Sequence, residues 1–343
     1  MFFLLNVISL IFRYCWNMSY SNHHFRAHFS CSMPLDDIGE KTTCKGFILS
    51  NIPLNQSNDS TKPDHPKKIL MFLSGLMTCA NEPYIQKAVH DLMDIYPELH
   101  NEYTVLVYEN MHRTSLEVAV HIISFIEHYN SCLQTIEELN IVGFSAGGIL
   151  ASNVMANTSF LNDTCKRRII TYDTPMSVIH VMERFSQNWI YRFDFLYYYI
   201  VLNAYRTHVD NIRIRTILRN DQKGIHVYRG VDYALGQLKR IHGLTDKELV
   251  EKTGFNYVQP RLTEIHHLYF KEDPVIDVNF NIQYRNEQMR YLLENKPKIT
   301  MLEKPGFEHC TDIWKNNHFA KYILGVLKSP PSIKLIKYYG KMK

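Results

Sequence analysis

The sequence predicts an α/β fold: a mainly parallel sheet with helices on both faces and a helical lid inserted late in the chain. Three observations predict it. Short apolar runs of strand length alternate with longer stretches of helical periodicity from Ile69 to Tyr172 and again from His266 to Leu327, the pattern of parallel strands joined by crossover helices. The run Glu138–Ala151 (ELNIVGFSAGGILA) sets Gly143-Phe144-Ser145-Ala146-Gly147 between an apolar strand and an apolar helix. The segment 176–258 breaks the alternation, being mostly helical in pattern and crowded with aromatics such as Phe185, Trp189, Tyr191 and Phe193.

Composition bounds the function. A chain of 343 residues, 45% of them hydrophobic, can bury one large core with an insertion. Its net charge of +4 is small for that length and leaves no nucleic-acid footprint. The seven cysteines (Cys15, Cys31, Cys44, Cys79, Cys132, Cys165, Cys310) are odd in number and scattered, with no C-x-x-C pair. That argues against a disulfide framework or a zinc site and for a reducing, cytoplasmic setting.

In chain order, Met1–Phe12 is almost wholly apolar (MFFLLNVISLIF). It is too short to span a bilayer. With no basic residue ahead of it and no small-residue cleavage site behind, it is a poor signal peptide. The expectation is a segment dispensable for folding that contacts a membrane weakly at most, on a protein that is not transmembrane. Phe25–Phe29 and Gly46–Leu49 alternate as a leading antiparallel pair of strands. His23, His24 and His28 have no carboxylate or cysteine at ligand spacing, so no metal is assigned to them. Asn51–Lys68 holds three prolines and reads as a loop.

Ile69–Leu73 is a continuous apolar strand, ending in Ser74-Gly75-Leu76-Met77. Asn81 can cap a helix running to Asp94, with Tyr84, Ala88, Leu92 and Ile95 at helical spacing. Tyr103–Tyr108 is a strand and Ser115–Tyr129 a buried helix. After the elbow, Arg168–Tyr172 is a strand that ends at Asp173-Thr174-Pro175. Beyond the insertion, His266–Phe270 is a strand leading into Asp273-Pro274-Val275-Ile276, and Asn281–Glu294 is a helix. Lys298–Leu302 is the last strand, before Gly306-Phe307-Glu308-His309-Cys310, and Ile313–Leu327 the closing helix. The tail from Ser332 carries four lysines and reads as a solvated end.

Gly-x-Ser-x-Gly at a sharp strand-to-helix turn is a nucleophile elbow. Such a turn has no room for side chains at Gly143 and Gly147, and it holds Ser145 strained at the tip with its hydroxyl above the sheet. The alternative is an ordinary Gly-rich turn; the strand before and the helix after are the context the motif requires. Taken with an Asp-Pro-Val after a late strand and a Gly-Phe-Glu-His after the last one, in that order, the elbow makes residues 20–327 resemble the α/β-hydrolase superfamily, in its serine esterase and lipase-like form with a helical lid. The resemblance implies Ser145 as nucleophile, Asp273 as acid and His309 as base. It also implies an oxyanion hole from the backbone amides of Leu76 and Ala146, and no metal or cofactor. Asp173 is the alternative acid, since some hydrolases of this fold draw theirs from the strand after the elbow; an aspartate there also commonly serves a turn.

The implied organisation is an apolar extension (1–19), a hydrolase core in two parts (20–175 and 259–328), a lid (176–258) and a basic tail (329–343). The implied reaction is hydrolysis of a carboxylic ester, a lipid ester or thioester among the choices, through an acyl-serine, with an apolar acyl chain under the aromatic lid. One departure from the family pattern is Ser74-Gly75, where many members have His-Gly. It leaves a second reading: a hydrolase-like protein that binds a ligand or protein partner without turnover.

Overall fold

The computed structural model describes residues 27–34, 41–49, 66–75, 83–108, 115–177, 180–181, 254–292, 296–306, 309–310, 313 and 316–328. Eight strands form one sheet in the order β1-β2-β4-β3-β5-β6-β7-β8. They are β1 (Ala27–Pro34), β2 (Lys41–Leu49), β3 (Lys68–Leu73), β4 (Tyr103–Tyr108), β5 (Glu138–Phe144), β6 (Lys166–Tyr172), β7 (Thr263–Phe270) and β8 (Lys298–Lys304). β2 runs antiparallel to both β1 and β4, and all pairings from β4 across to β8 are parallel. The β1–β2 register sets Cys31 opposite Cys44. The expected parallel sheet with a leading antiparallel pair is therefore present.

Helices α1 (Pro83–Ile95), α2 (Ser115–His128), α3 (Ala146–Ala156), α4 (Val278–Tyr291) and α5 (His318–Lys328) cover the two faces. β3 shows why its sequence carries no polar alternation. Ile69, Met71 and Leu73 pack on the face that holds α2, α3 and α4, and Leu70 and Phe72 on the face that holds α1 and α5. A strand buried on both sides needs apolar residues at every position.

The helices depart from expectation at their ends. α1 buries Ala88 and Leu92 as expected, together with Ile85 and Val89, and Ile95 is half-buried. α2 runs on through a π-helical turn at Tyr129–Leu133. α4 starts at Val278 rather than Asn281, because the Asp277 carboxylate accepts the amides of Asn279 (2.9 Å) and Phe280 (3.1 Å) and caps it there. α5 starts at His318 rather than Ile313, where Asn316 accepts the His318 amide at 2.9 Å. The expected extension, most of the lid (182–253), the Asn81 cap and the basic tail lie outside the described residues. Among those residues no helix is long and apolar enough to cross a membrane.

The two ends of the insertion are described. Ser177 and Gly254 form an antiparallel bridge, and the Phe255 amide donates to the Met176 carbonyl at 2.8 Å. Asn281 on α4 accepts the Met176 amide (3.0 Å) and donates to the Thr174 carbonyl (3.2 Å). Ser152 on α3 accepts the Asn256 amide at 2.9 Å. The chain thus leaves β6 and returns towards β7 through a paired neck fastened to α3 and α4.

Two adjacent arginines of β6 are buried on opposite faces. The Arg167 guanidinium donates to the carbonyls of Cys165, Thr158, Leu161, Asn162 and Arg261, closing the loop that follows α3. Arg168 lies in register with Asn140 on β5 and Glu264 on β7. It bonds Glu138, Asn140 (3.1 Å) and Glu264 (3.4 Å). The Glu264 carboxyl is held down at about 2, first by the His266 imidazole and then by the Arg168 guanidinium.

A carboxyl depressed on folding stabilises the protein above its unfolded pKa, and that stability disappears as pH falls through the folded value. Glu264→Gln is therefore expected to cost about 1–3 kcal/mol at pH 7. It should also flatten the acid limb of the stability curve between pH 4.5 and about 2. Urea titrations of both proteins across that range check this, and an unchanged acid limb would refute it.

Candidate active site

The site starts from backbone packing at the elbow. A Cβ on Gly143 would sit 2.4 Å from the Gly148 Cα, and one on Gly147 would sit 2.4 Å from the Ser74 carbonyl oxygen and 2.5 Å from that of Leu73. A Cβ on Gly148 would meet the Thr174 side chain at 2.1 Å. The start of α3 thus lies against the ends of β3 and β5 and the residue pair beyond β6, with no space between. Ser145, at the turn, has φ 49° and ψ −127°, a conformation costing about 1–3 kcal/mol outside glycine. Its amide is tied to the Tyr172 carbonyl at 2.9 Å. Ala146 is the first residue of α3, so its amide has no acceptor within the helix.

Three further loops converge on this point from the C-terminal ends of β6, β7 and β8. His309 Nε2 lies 3.1 Å from Ser145 Oγ, and His309 Nδ1 lies 2.8 Å from Asp273 Oδ2. The other Asp273 oxygen accepts the amides of Val275 (2.6 Å) and Ile276 (2.8 Å). Asp273 therefore shapes its own turn with one oxygen and faces the histidine with the other. Its carboxylate is buried, while the imidazole keeps 21% of its surface exposed.

Asp173 occupies a different place. It is fully buried and sits at φ 47°. Its Oδ1 accepts the Phe270 amide at 3.1 Å and its Oδ2 the Cys310 amide at 2.6 Å. Burial pushes its carboxyl up to about 7, with the His309 charge pulling the other way and Asp273 adding to the rise. The thiol of half-buried Cys310 lies against the Tyr172 carbonyl (3.7 Å), and desolvation drives it well above its usual range. Asp173, His309 and Cys310 each have a potential ligand atom within 4.8 Å of the others, yet both Asp173 oxygens and both imidazole nitrogens are already engaged in hydrogen bonds.

Of the residues singled out by sequence, the structure brings Ser145, His309 and Asp273 into one chain of contacts, with Asp173 behind them. Ala146 follows the serine, and Leu76 lies outside the described residues. Sequence reasoning missed the backbone grip of Asp173 and the presence of Cys310. Only their positions beside a strand end and beside His309 could have signalled them.

No protein-family model matches the sequence, and no curated protein matches it significantly. Solved structures do resemble it. The Pyrococcus furiosus esterase Pf2001 superposes with a TM-score of 0.55 at 9% identity, over 89% of this chain and 91% of that one, in space group P212121. In space group C2221 the TM-score is 0.53 at 10% identity, over 89% and 90%. At such identities the likeness speaks of architecture. Together with the strand order, it shows that this chain has the α/β-hydrolase fold.

The packing at the elbow separates two glycines. Gly147→Ala should destabilise the protein by about 2–4 kcal/mol, with no single compensating change, because the obstacles are backbone carbonyls. Gly148→Ala should be partly rescued by Thr174→Gly, which removes a side-chain obstacle. Urea unfolding of the four variants checks this; rescue of Gly147→Ala by Thr174→Gly would contradict it.

Proposed function

We propose that the chain is a serine hydrolase that cleaves a carboxylic ester, with lipid esters and thioesters within its chemical range, through an acyl-serine. The observation that carries the reading is the Ser145–His309–Asp273 chain of contacts, 3.1 Å and 2.8 Å long, at the C-terminal edge of the sheet. The esterase fold similarity supports it as analogy only.

A serine hydroxyl is a weak nucleophile at neutral pH. In this reading His309 Nε2 takes the Ser145 proton as Oγ attacks the ester carbonyl, and returns it to the leaving alcohol or thiol. A water molecule then repeats the exchange on the acyl-serine and releases the acid. Asp273, on Nδ1, fixes the tautomer that leaves Nε2 free to accept, and its charge stabilises the imidazolium. The tetrahedral oxyanion is received by the Ala146 amide and, as second donor, that of Leu76. The partial positive charge at the start of α3 favours the same anion. The segment 176–258 is assigned as a lid between two core parts, 20–175 and 259–328. Its aromatic content favours an apolar acyl chain.

The reading makes ordered expectations. Ser145→Ala should lower turnover of a short-chain p-nitrophenyl ester by about 10⁴- to 10⁶-fold and abolish labelling by a fluorophosphonate probe. Asp273→Asn should lower turnover about 10⁴-fold, and Asp173→Asn far less. A wild-type protein that neither turns over nor takes the probe would instead be a hydrolase-like binding protein. If the two aspartate variants ranked the other way, the acid would be Asp173.

A further inference from the structure

We propose that Asp173 is a positioning residue: a buried clamp that fastens the loop carrying His309 and the strand end leading to Asp273 onto the end of β6. Its consequence for turnover rests on the serine-hydrolase reading; the clamp itself rests on geometry alone.

A single carboxylate joins three segments. Asp173 follows β6 directly, and its own amide donates to the Leu268 carbonyl of β7 at 2.8 Å. Oδ1 takes the amide of Phe270, the last residue of β7 and three before Asp273. Oδ2 takes the amide of Cys310, next to His309, at 2.6 Å. That bond is short, and it is charge-assisted whenever the carboxyl is ionised. Cys310 holds φ 53°, unfavourable for a cysteine, and such a conformation persists only where its surroundings over-determine it. The Asp173 oxygen is one such determinant, and the thiol contact to the Tyr172 carbonyl is the other.

The chemistry requires an aspartate here. Two N–H donors approach two different oxygens, and only a carboxylate offers acceptors on both. An asparagine must turn its own NH₂ towards one of the amides. A longer glutamate would have to place an extra methylene in a site with no exposed surface. Aspartate also tolerates positive φ better than most residues. His309 Nδ1 bonds Asp273, while Asp173 is engaged with the two backbone amides. What it controls is where the histidine loop stands relative to the serine.

The test uses Asp173→Asn, which keeps size and tolerance of positive φ, and Asp173→Gly, which removes both acceptors and relaxes the backbone. Asn should lower kcat about 10- to 100-fold with KM changed less than about threefold, and Gly should lower kcat further. In both, the Cys310 amide should exchange with deuterium at least about tenfold faster, while amides of β3 and β5 keep their protection. A kcat for Asp173→Asn within twofold of wild type or an unchanged Cys310 exchange rate would each overturn the clamp. If neither variant folds, the wild type still decides: its Cys310 amide must exchange slowly, and free-loop exchange there overturns the proposal. An inactive, unlabelled wild type would refute the hydrolase reading while leaving the exchange result to judge the clamp.

Discussion

The close approach of α3 to the ends of β3 and β5 governs the rest of the structure. It is possible only because positions 143, 147 and 148 lack side chains, each of which would meet a neighbour at 2.4 Å or less. Backbone against backbone leaves Ser145 no relaxed conformation, so the turn is strained and its hydroxyl stands clear of the sheet. Parallel pairing of β5, β6, β7 and β8 then delivers three more loops to the same edge. A ligand site outside the carboxyl ends of the strands is the general outcome for open parallel sheets.

Strain gathers at that edge. Among the described residues four non-glycines have positive φ, and three of them, Ser145, Asp173 and Cys310, lie within the site. Each is braced by a neighbouring segment: Ser145 by the Tyr172 carbonyl, Asp173 by Leu268, Cys310 by Asp173. The fourth, Leu262, is exposed at the opposite end, just before β7. Two apolar layers beneath the site supply the rigidity that keeps such conformations populated. Phe144, Tyr172 and Phe319 illustrate this, with Tyr172 and Phe319 stacked at 4.4 Å directly under the strand ends.

Sequence legibility followed the physical range of each signal. β3, β4 and the elbow were readable because they depend on local pattern: a doubly buried strand is apolar throughout, and a turn without side chains must be glycine. Helix starts were misplaced by three residues at α4 and five at α5, because Asp277 and Asn316 cap through side chains that resemble any loop residue. On α1, Ile85 and Val89 join the expected Ala88 and Leu92 in the core shared with α5, an element over 200 residues away in the chain. Arg168 opens the expected strand and Arg167 lies just outside it, and nothing in the local pattern marks either as buried. Arg167 is held by four carbonyls of the irregular loop just before it and by the distant Arg261 carbonyl, and Arg168 by Glu138 and Glu264 of flanking strands. Long-range polar partners leave no periodic trace.

The two aspartates show the same limit at the scale of one side chain. Both follow a strand, both precede a proline within two residues, and both carry hydrogen bonds from backbone amides. They differ in how those bonds are shared. Asp273 gathers both amides on one oxygen, both from its own turn, and this leaves the second oxygen for the imidazole. Asp173 places one oxygen on each of two amides, one from the end of β7 and one from the loop that carries His309. The surroundings of the two groups differ as a result. Asp273 keeps one oxygen 2.8 Å from the His309 imidazole. Asp173 is enclosed without such a contact, and its carboxyl rises to about 7. The difference between an aspartate that reaches the imidazole and one that ties two segments together is therefore set by which oxygen each amide reaches, a property of loop conformation that residue identity alone cannot encode.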